Sequence, residues 1–249
     1  MNPEDVKSNF FRPVTNLARV FLDFIYPPVC LICKEVIREE FPQNSKALVC
    51  SECWSNLKIE GKPFCPECKT ELEINQLQHC SAYLDRVYAL GVFDENFQEL
   101  IHNFKYKGKI SLGKKLGHRL AEELKGQNLS DFTYLIPVPL HKARKRERGF
   151  NQSEILAEAL AQKLNLRLPQ NILIRIKNTK DQTKLSIEER KQNVAGAFQV
   201  QDQHKILHGQ KIILVDDVIT TGATLNECAR VLKQAGAKEI LAVTIAKAG

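Results

Sequence analysis

The sequence predicts an α/β protein, with a mostly parallel sheet flanked by helices behind a small cysteine-rich head. Three observations predict it. Seven of the 8 cysteines fall between Cys30 and Cys80. After about residue 84 strand-like and helix-like runs alternate, the pattern of a sheet built through right-handed crossovers. Lys211 to Val215 is short and nearly all aliphatic, as a strand buried on both faces of a parallel sheet must be. The expected domains are therefore residues 1–84, an N-terminal helix and the cysteine-rich head, and residues 85–249, the α/β domain.

Composition narrows the function classes. The 249 residues are 43% hydrophobic and 26% charged, as in an ordinary globular protein. The formal charge of +7 is modest. It suits an anionic ligand without demanding one. Charges are mixed rather than blocked, which excludes histones and basic tails. No apolar run approaches the ~20 residues of a membrane span. Glu4 and Asp5 stand where a secretion signal would be basic, and Arg19 and Asp23 interrupt the apolar stretch. Val14, Leu17, Ala18, Phe21, Phe24 and Ile25 instead recur at helical spacing, and Pro27-Pro28 ends that helix. A cytoplasmic protein with reduced thiols is expected.

The head carries three C-x-x-C pairs, Cys30/Cys33, Cys50/Cys53 and Cys65/Cys68, and then Cys80 beside His79. Each pair presents two thiolates to one tetrahedral ion, and two pairs close a Cys₄ zinc site. Cys30, Cys33, Cys50 and Cys53 are the sequential choice. Pairing of Cys30/Cys33 with Cys65/Cys68 is the interleaved alternative. Cys65, Cys68 and Cys80 supply three ligands to a second site, with Tyr83 where a fourth cysteine pair would close. So small a segment draws much of its folding free energy from bound metal. Cys228 lies on the apolar face of a later helix, a core position.

In the second domain, Val87–Phe93, Phe132–Val138, Ile172–Ile176, Lys211–Val215 and Glu239–Ile245 read as strands. Leu112, Leu116, Leu120 and Leu124 mark one helix face. Ile155 to Leu164 marks another helix, and Leu225, Cys228, Ala229 and Leu232 a third, closed by Gly236. No internal repeat is evident.

The chemistry concentrates after the Lys211–Val215 strand. Asp216 and Asp217 stand at its C-terminal end, where open α/β sheets bind ligands. Thr220, Thr221, Gly222, Ala223 and Thr224 then open a helix, whose hydroxyls and free N–H groups make a phosphate cradle. The Lys of a Walker loop is absent. Carboxylates beside a phosphate cradle suit a phosphorylated sugar. A basic run, Lys142 to Arg148, follows the strand that ends in Pro137-Val138-Pro139. On a strand-to-helix loop at the same sheet edge, its arginines suit a diphosphate or a nucleic-acid backbone. The polar stretch Lys177–Asn193 reads as a lid over the ligand.

The four aliphatics, Asp216-Asp217 and Thr220–Thr224 are similar to the phosphoribosyl-pyrophosphate (PRPP) signature of type I phosphoribosyltransferases. That likeness implies that Thr220–Thr224 hold the ribose 5-phosphate. Asp216 and Asp217 would hold the 2- and 3-hydroxyls, directly or through Mg²⁺ and water. It also implies that the basic run faces the pyrophosphate, with Arg144, Arg146 and Arg148 stabilising the leaving group. The stretch from Ile136 through Gln152 resembles the ComF/GntX family, as do Phe104-Lys105-Tyr106-Lys107-Gly108 and Arg175, Gln182, Thr183, Ser186, Arg190, Asn193, Val194, Gly196 and Phe198. That family joins a zinc-ribbon head to a type I phosphoribosyltransferase-like domain and is associated with DNA uptake in natural transformation. The implied activity is Mg²⁺-dependent transfer of a phosphoribosyl, hence pentosyl, group to an acceptor the residues do not identify. The alternative is a non-catalytic PRPP- or nucleotide-binding accessory protein, with single-stranded DNA and competence proteins as candidate partners.

Overall fold

The computed structural model describes residues 25–38, 48–72, 83–179, 186–202 and 205–248, with the backbone alone at Ile187. The expected N-terminal helix, apart from Ile25, and the His79-Cys80 pair lie outside the described residues. Contacts divide the chain into two compact units, Met1–Leu57 and Lys58–Gly249.

In the first unit the Cys30/Cys33 pair sits on a tight turn. Lys34 N–H donates to the Cys30 carbonyl (3.0 Å), Cys30 N–H to Glu35 (2.9 Å) and Ile37 N–H to Pro28 (2.8 Å). Lys34 closes the turn at φ 66°. Helix α1 (Ser51–Ser55) starts at Cys50, whose Sγ accepts from Cys53 N–H at 3.4 Å.

The second unit opens with a copy of that turn. Lys69 N–H donates to Cys65 (3.0 Å), Cys65 N–H to Thr70 (2.9 Å) and Leu72 N–H to Pro63 (2.8 Å), with Lys69 at φ 61°. A structural repeat is therefore present, contrary to the expectation of none. Both copies follow Pro-x-Cys-x-x-Cys-Lys-x-x-aliphatic, from Pro28 to Ile37 and from Pro63 to Leu72.

The main sheet contains β1 (Pro63–Phe64), β2 (Arg86–Val92), β3 (Phe132–Pro137), β6 (Lys211–Val215), β7 (Val218–Ile219) and β8 (Glu239–Lys247). Its order is β1-β2-β8-β6-β3, with β7 also on β8. Only β1 pairs antiparallel. Registers Pro137↔Val215 and Val215↔Val243 bring the ends of β3 and β6 to one edge. Ile212, Ile213, Leu214 and Val215 are all fully buried, as an aliphatic run in a parallel sheet should be. The Ile172–Ile176 strand forms outside this sheet. There β4 (Leu173–Arg175) pairs antiparallel with β5 (Phe198–Val200).

Between β2 and β3, α2 (Glu95–Tyr106) is capped by Asp94, whose Oδ1 accepts from Phe97 N–H at 3.0 Å. Phe97, Leu100, Ile101 and Phe104 make its buried face. Helix α3 (Ile110–Leu124) buries Leu112, Leu116, Leu120 and Leu124 completely. Its Gly113 is required, because a Cβ there would meet the Phe104 ring at 2.3 Å.

The basic run is itself a helix, α4 (Lys142–Arg148), where a loop was expected. His141 Nδ1 caps it at Ala143 N–H (3.3 Å), and Gly149 ends it in the left-handed region. Helix α5 (Gln152–Leu164) follows at once. Asn151 Oδ1 accepts from Ser153 N–H (3.2 Å), while its Nδ2 donates to the Val138 carbonyl (3.0 Å). Within the expected lid, residues 180–185 lie outside the described residues. The rest includes α6 (Ile187–Val194), started by a Ser186/Glu189 capping box. Helix α7 (Ala223–Gln234) joins β7 to β8.

Candidate ligand cavity and metal centre

The metal centre belongs to the first unit. One sulfur from each of Cys30, Cys33, Cys50 and Cys53 lies within 4.8 Å of the others, and Cys33 Sγ is 3.9 Å from Cys50 Sγ. A tetrahedron of Zn–S bonds near 2.3 Å places sulfurs about 3.8 Å apart, so the four thiolates fit zinc. Burial pushes the Cys30 thiol up, but backbone N–H groups of Cys50, Cys33 and Ile32 outweigh it and bring it down to about 7. Burial together with the neighbouring sulfurs pushes Cys53 up to about 12. Metal binding must therefore expel protons from the set. Cys65 and Cys68 occupy the second copy of the turn, and Cys80 lies outside the described residues. Cys228 is fully buried, and burial lifts its thiol well above the ordinary value.

The ligand cavity belongs to the second unit. It has a volume of about 360 Å³ and opens at the C-terminal edge of β6 and β3. Asp216, Asp217 and all of Thr220–Thr224 line it. Gly222 serves as N-cap of α7 at φ 76°, a left-handed conformation that disfavours a side chain. The positive end of α7 thus meets the threonine loop. Thr221 Oγ1 accepts from Ala223 N–H at 3.4 Å, and the Thr220 carbonyl accepts from Lys69 Nζ at 3.4 Å.

The two aspartates are held differently. Asp216 Oδ1 accepts from Ser153 Oγ (3.0 Å) and from Asp217 N–H (2.9 Å). Burial raises its carboxyl to about 6, against the charges of Lys105 and Arg175 and the Ser153 hydrogen bond, which favour ionisation. Asp217 Oδ1 accepts from Val218 N–H at 2.8 Å, and its Oδ2 pairs with Lys105 Nζ at 2.5 Å.

Of the three arginines on α4, Arg144 and Arg148 line the cavity. Arg146 is exposed on the outer face, because two residues turn a helix by about 200° whereas four bring the side chain back. The Arg148 guanidinium lies 5.2 Å from the Tyr106 ring centre. Phe104 is fully buried and stacks at 5.7 Å on the half-buried Phe150 ring.

Sequence reasoning gave no site role to Lys105, Gln152, Ser153, Arg175 or Arg190, yet all line the cavity. Arg190 Nη1 donates to Thr220 Oγ1 at 3.2 Å. Arg175 packs over the Phe198 ring and donates to Thr179 Oγ1. Gln152 is 2% exposed, and its Nε2 has no hydrogen-bond partner. Asn151, four residues before the apolar helical run that opens at Ile155, was the local signal for Gln152 and Ser153: it announces a helix whose first turn starts at the ligand edge. The cavity therefore sets five cationic side chains, Lys105, Arg144, Arg148, Arg175 and Arg190, against two carboxylates and a helix N-terminus. Such a set of groups has the chemistry to hold a polyanion bearing hydroxyls.

Fold and sites together define a zinc-ribbon protein with a phosphoribosyltransferase-type α/β domain. A phosphoribosyl transferase domain model matches residues 151–249, and a double zinc ribbon domain model matches residues 21–84. The chain is 32% identical over 210 residues to Competence protein F of Haemophilus influenzae, which covers 80% of this chain and 90% of that protein. It is 26% identical over 224 residues to Competence protein ComFC of Streptococcus pneumoniae, covering 85% and 96%. It is 29% identical over 204 residues to DNA utilization protein YhgH of Escherichia coli, covering 77% and 87%. The chain belongs to the ComF family. The ribbon model runs to residue 84, but the contact units part after Leu57, because β1 pairs with β2 and Phe64 is buried in the main core.

Proposed function

We propose that the chain binds PRPP, transfers its phosphoribosyl group to an acceptor, and does so in the service of DNA uptake in natural competence. The reading is carried by one juxtaposition: the Asp216-Asp217 pair and the Thr220–Thr224 loop face Arg144, Arg148 and Arg190 across a single cavity. The loop suits the 5-phosphate, the carboxylates the sugar hydroxyls, and the arginines the pyrophosphate. In phosphoribosyl transfer negative charge grows on the departing pyrophosphate, and fixed guanidinium groups stabilise it where it develops. No protein nucleophile is needed.

Asp216 and Asp217 are the carboxylates lining the cavity among the described residues, and Asp217 already carries Lys105. That donor set suits Mg²⁺ brought on the diphosphate oxygens. When bound there, Mg²⁺ supplies further charge neutralisation of the leaving group. The role in DNA uptake rests on the names of the relatives, which are competence and DNA utilization proteins. The family association supports a cytoplasmic location and partnership with single-stranded DNA or competence proteins.

The test is calorimetric titration with PRPP, followed by a screen for PRPP-dependent pyrophosphate release over nucleobase and nucleic-acid acceptors. Binding with release supports the transferase. Binding with no release from any acceptor supports an accessory protein that senses PRPP. Absence of PRPP binding overturns both.

A further inference from the structure

Gln152 is almost fully buried, lines the cavity and leaves its amide Nε2 without a hydrogen-bond partner. The residues on either side of it are tied down. Asn151 Nδ2 donates to the Val138 carbonyl at 3.0 Å, and its Oδ1 accepts from Ser153 N–H at 3.2 Å. Ser153 Oγ in turn donates to Asp216 Oδ1 at 3.0 Å. The backbone that carries Gln152 is thereby fixed at the ligand edge. A buried donor left unpaired costs stability, and an apolar side chain of similar shape would not.

A second donor among the cavity-lining residues shares this condition. Arg175 Nε is buried without a partner, although its Nη2 donates to Thr179 and its guanidinium packs over Phe198. Its charge is felt by both Arg144 and Asp216, so it stands between the arginines and the carboxylates. Chain order gives Gln152 the same station. The cavity-lining residues follow as Arg144, Arg148, Gln152 and Ser153, the first two bringing guanidinium groups and the last holding Asp216. Both orphaned atoms donate and neither accepts. Their complement is an oxygen that accepts without bringing a proton, which describes a phosphoryl oxygen better than a hydroxyl.

Resting on the PRPP reading of the cavity, we propose that Gln152 is a ligand-binding residue kept unsatisfied in the free protein, its amide N–H reserved for a phosphoryl oxygen of the diphosphate near its junction with the sugar. Arg175 Nε is a second donor of the same kind. Being neutral, the amide adds no charge to a cavity that already holds five cationic side chains. It therefore tells a sugar diphosphate from a sugar that lacks one. A fixed donor there also gains strength as negative charge grows on the departing group.

Calorimetric titration of the full chain with PRPP and with ribose 5-phosphate, both in MgCl₂, is paired with thermal melts of the unliganded protein. Gln152→Leu should bind PRPP about tenfold or more weakly, the effect of losing a hydrogen bond to a charged group. Its affinity for ribose 5-phosphate should stay within about twofold. Its unliganded melting temperature should equal or exceed that of the wild type, because the orphaned amide is gone. A merely structural glutamine would show the reverse, a lower melting temperature with both ligands weakened alike. Gln152→Glu keeps the size and shape but sets a carboxylate against the phosphoryl oxygens, and should bind PRPP more weakly still than Gln152→Leu. The inference is overturned if either variant matches the wild type with PRPP, if ribose 5-phosphate binding falls as far as PRPP binding, or if Gln152→Leu melts below the wild type. A wild type that binds ribose 5-phosphate but not PRPP removes the diphosphate, and this inference with it, while leaving a phosphosugar site. If it binds neither, the reading of the cavity falls as well.

Discussion

Ser153 Oγ lies 3.0 Å from Asp216 Oδ1 and donates to it. The serine belongs to the first turn of α5 and the aspartate follows β6 directly. One hydrogen bond thus ties a helix that begins beyond β3 to the carboxylate at the end of the neighbouring strand. It also favours the charged form of an acid that burial pushes towards neutrality.

The balance gives a pH dependence. The Asp216 carboxyl stands at about 6, above its ordinary value of 3.8, so the fold favours the protonated form. Between about pH 4 and 6 the folded chain holds more proton than the unfolded chain, and its stability should fall as pH rises through that window. Ligand affinity should move the opposite way, because only the ionised carboxylate accepts two hydroxyl protons. PRPP binding is expected to strengthen as pH rises through about 6, and Asp216→Asn should flatten that profile. Calorimetric affinities from pH 5 to 8 would show it. A wild-type profile as flat as the mutant's counts against the role of Asp216.

Asp217→Asn removes the charge that holds Lys105. Charge-assisted contacts of this kind contribute about 1.5–3 kcal/mol, so phosphosugar affinity should drop by roughly ten- to a hundredfold. The far-UV circular dichroism should not change. Unaltered affinity would dissociate Asp217 from the ligand.

Helix α4 separates its arginines by face. Arg144→Ala and Arg148→Ala should each weaken PRPP binding by about tenfold, whereas Arg146→Ala should have an effect under about twofold. Anisotropy with a labelled oligonucleotide over several salt concentrations tests the rival use of the same run. A triple replacement that flattens the DNA salt slope by two or three contacts, at ~0.7 each on single strands, would assign the run to nucleic acid.

Elemental analysis should find zinc held through Cys30, Cys33, Cys50 and Cys53, and Cys50→Ser should release it. Because the first unit depends on that metal, chelation should expose the Met1–Leu57 segment to protease while the sheet keeps its secondary structure. A Cys50→Ser variant that retains a full complement of zinc would overturn the ligand set.

Gly113→Ala places a methyl group 2.3 Å from a fully buried Phe104 ring. Overpacking of this sort costs about 1–3 kcal/mol. The melting temperature should fall by several degrees, and a shift of Phe104 is passed to the helix end that carries Lys105. Phosphosugar affinity should therefore fall with stability, although Gly113 is not among the cavity-lining residues.

What could be read from the chain alone was local. Lys211–Val215 announced a central strand because a strand covered on both faces has only apolar positions, and the Asp-Asp and Thr-Thr-Gly-Ala-Thr runs carry their chemistry in consecutive residues. Leu112 to Leu124 was equally plain from its spacing. Lys105, Arg175 and Arg190 were present in motifs but had no assigned task, since only the fold brings them to Asp216 and Thr220. The helical nature of α4 was hidden by its charge. A seven-residue run with no apolar face has no periodicity to reveal, and its caps, His141 and Gly149, decide the matter. The two copies of the cysteine turn were legible as Pro-x-Cys-x-x-Cys-Lys-x-x-aliphatic at Pro28–Ile37 and Pro63–Leu72, although a ten-residue match is too short to stand out as a repeat.

The burial of Phe64 in the main core has a practical consequence for anyone building chimeras within this family. A fragment begun at residue 85 would discard β1, bare the edge of β2 to intermolecular pairing, and remove Lys69 from the Thr220 carbonyl and Pro66 from beside Gly222. The second cysteine turn is thus a brace for the threonine loop rather than an exchangeable cassette. Heads from relatives would graft cleanly at the Leu57/Lys58 junction, and a splice placed after Cys80 would bring a foreign brace to the native loop.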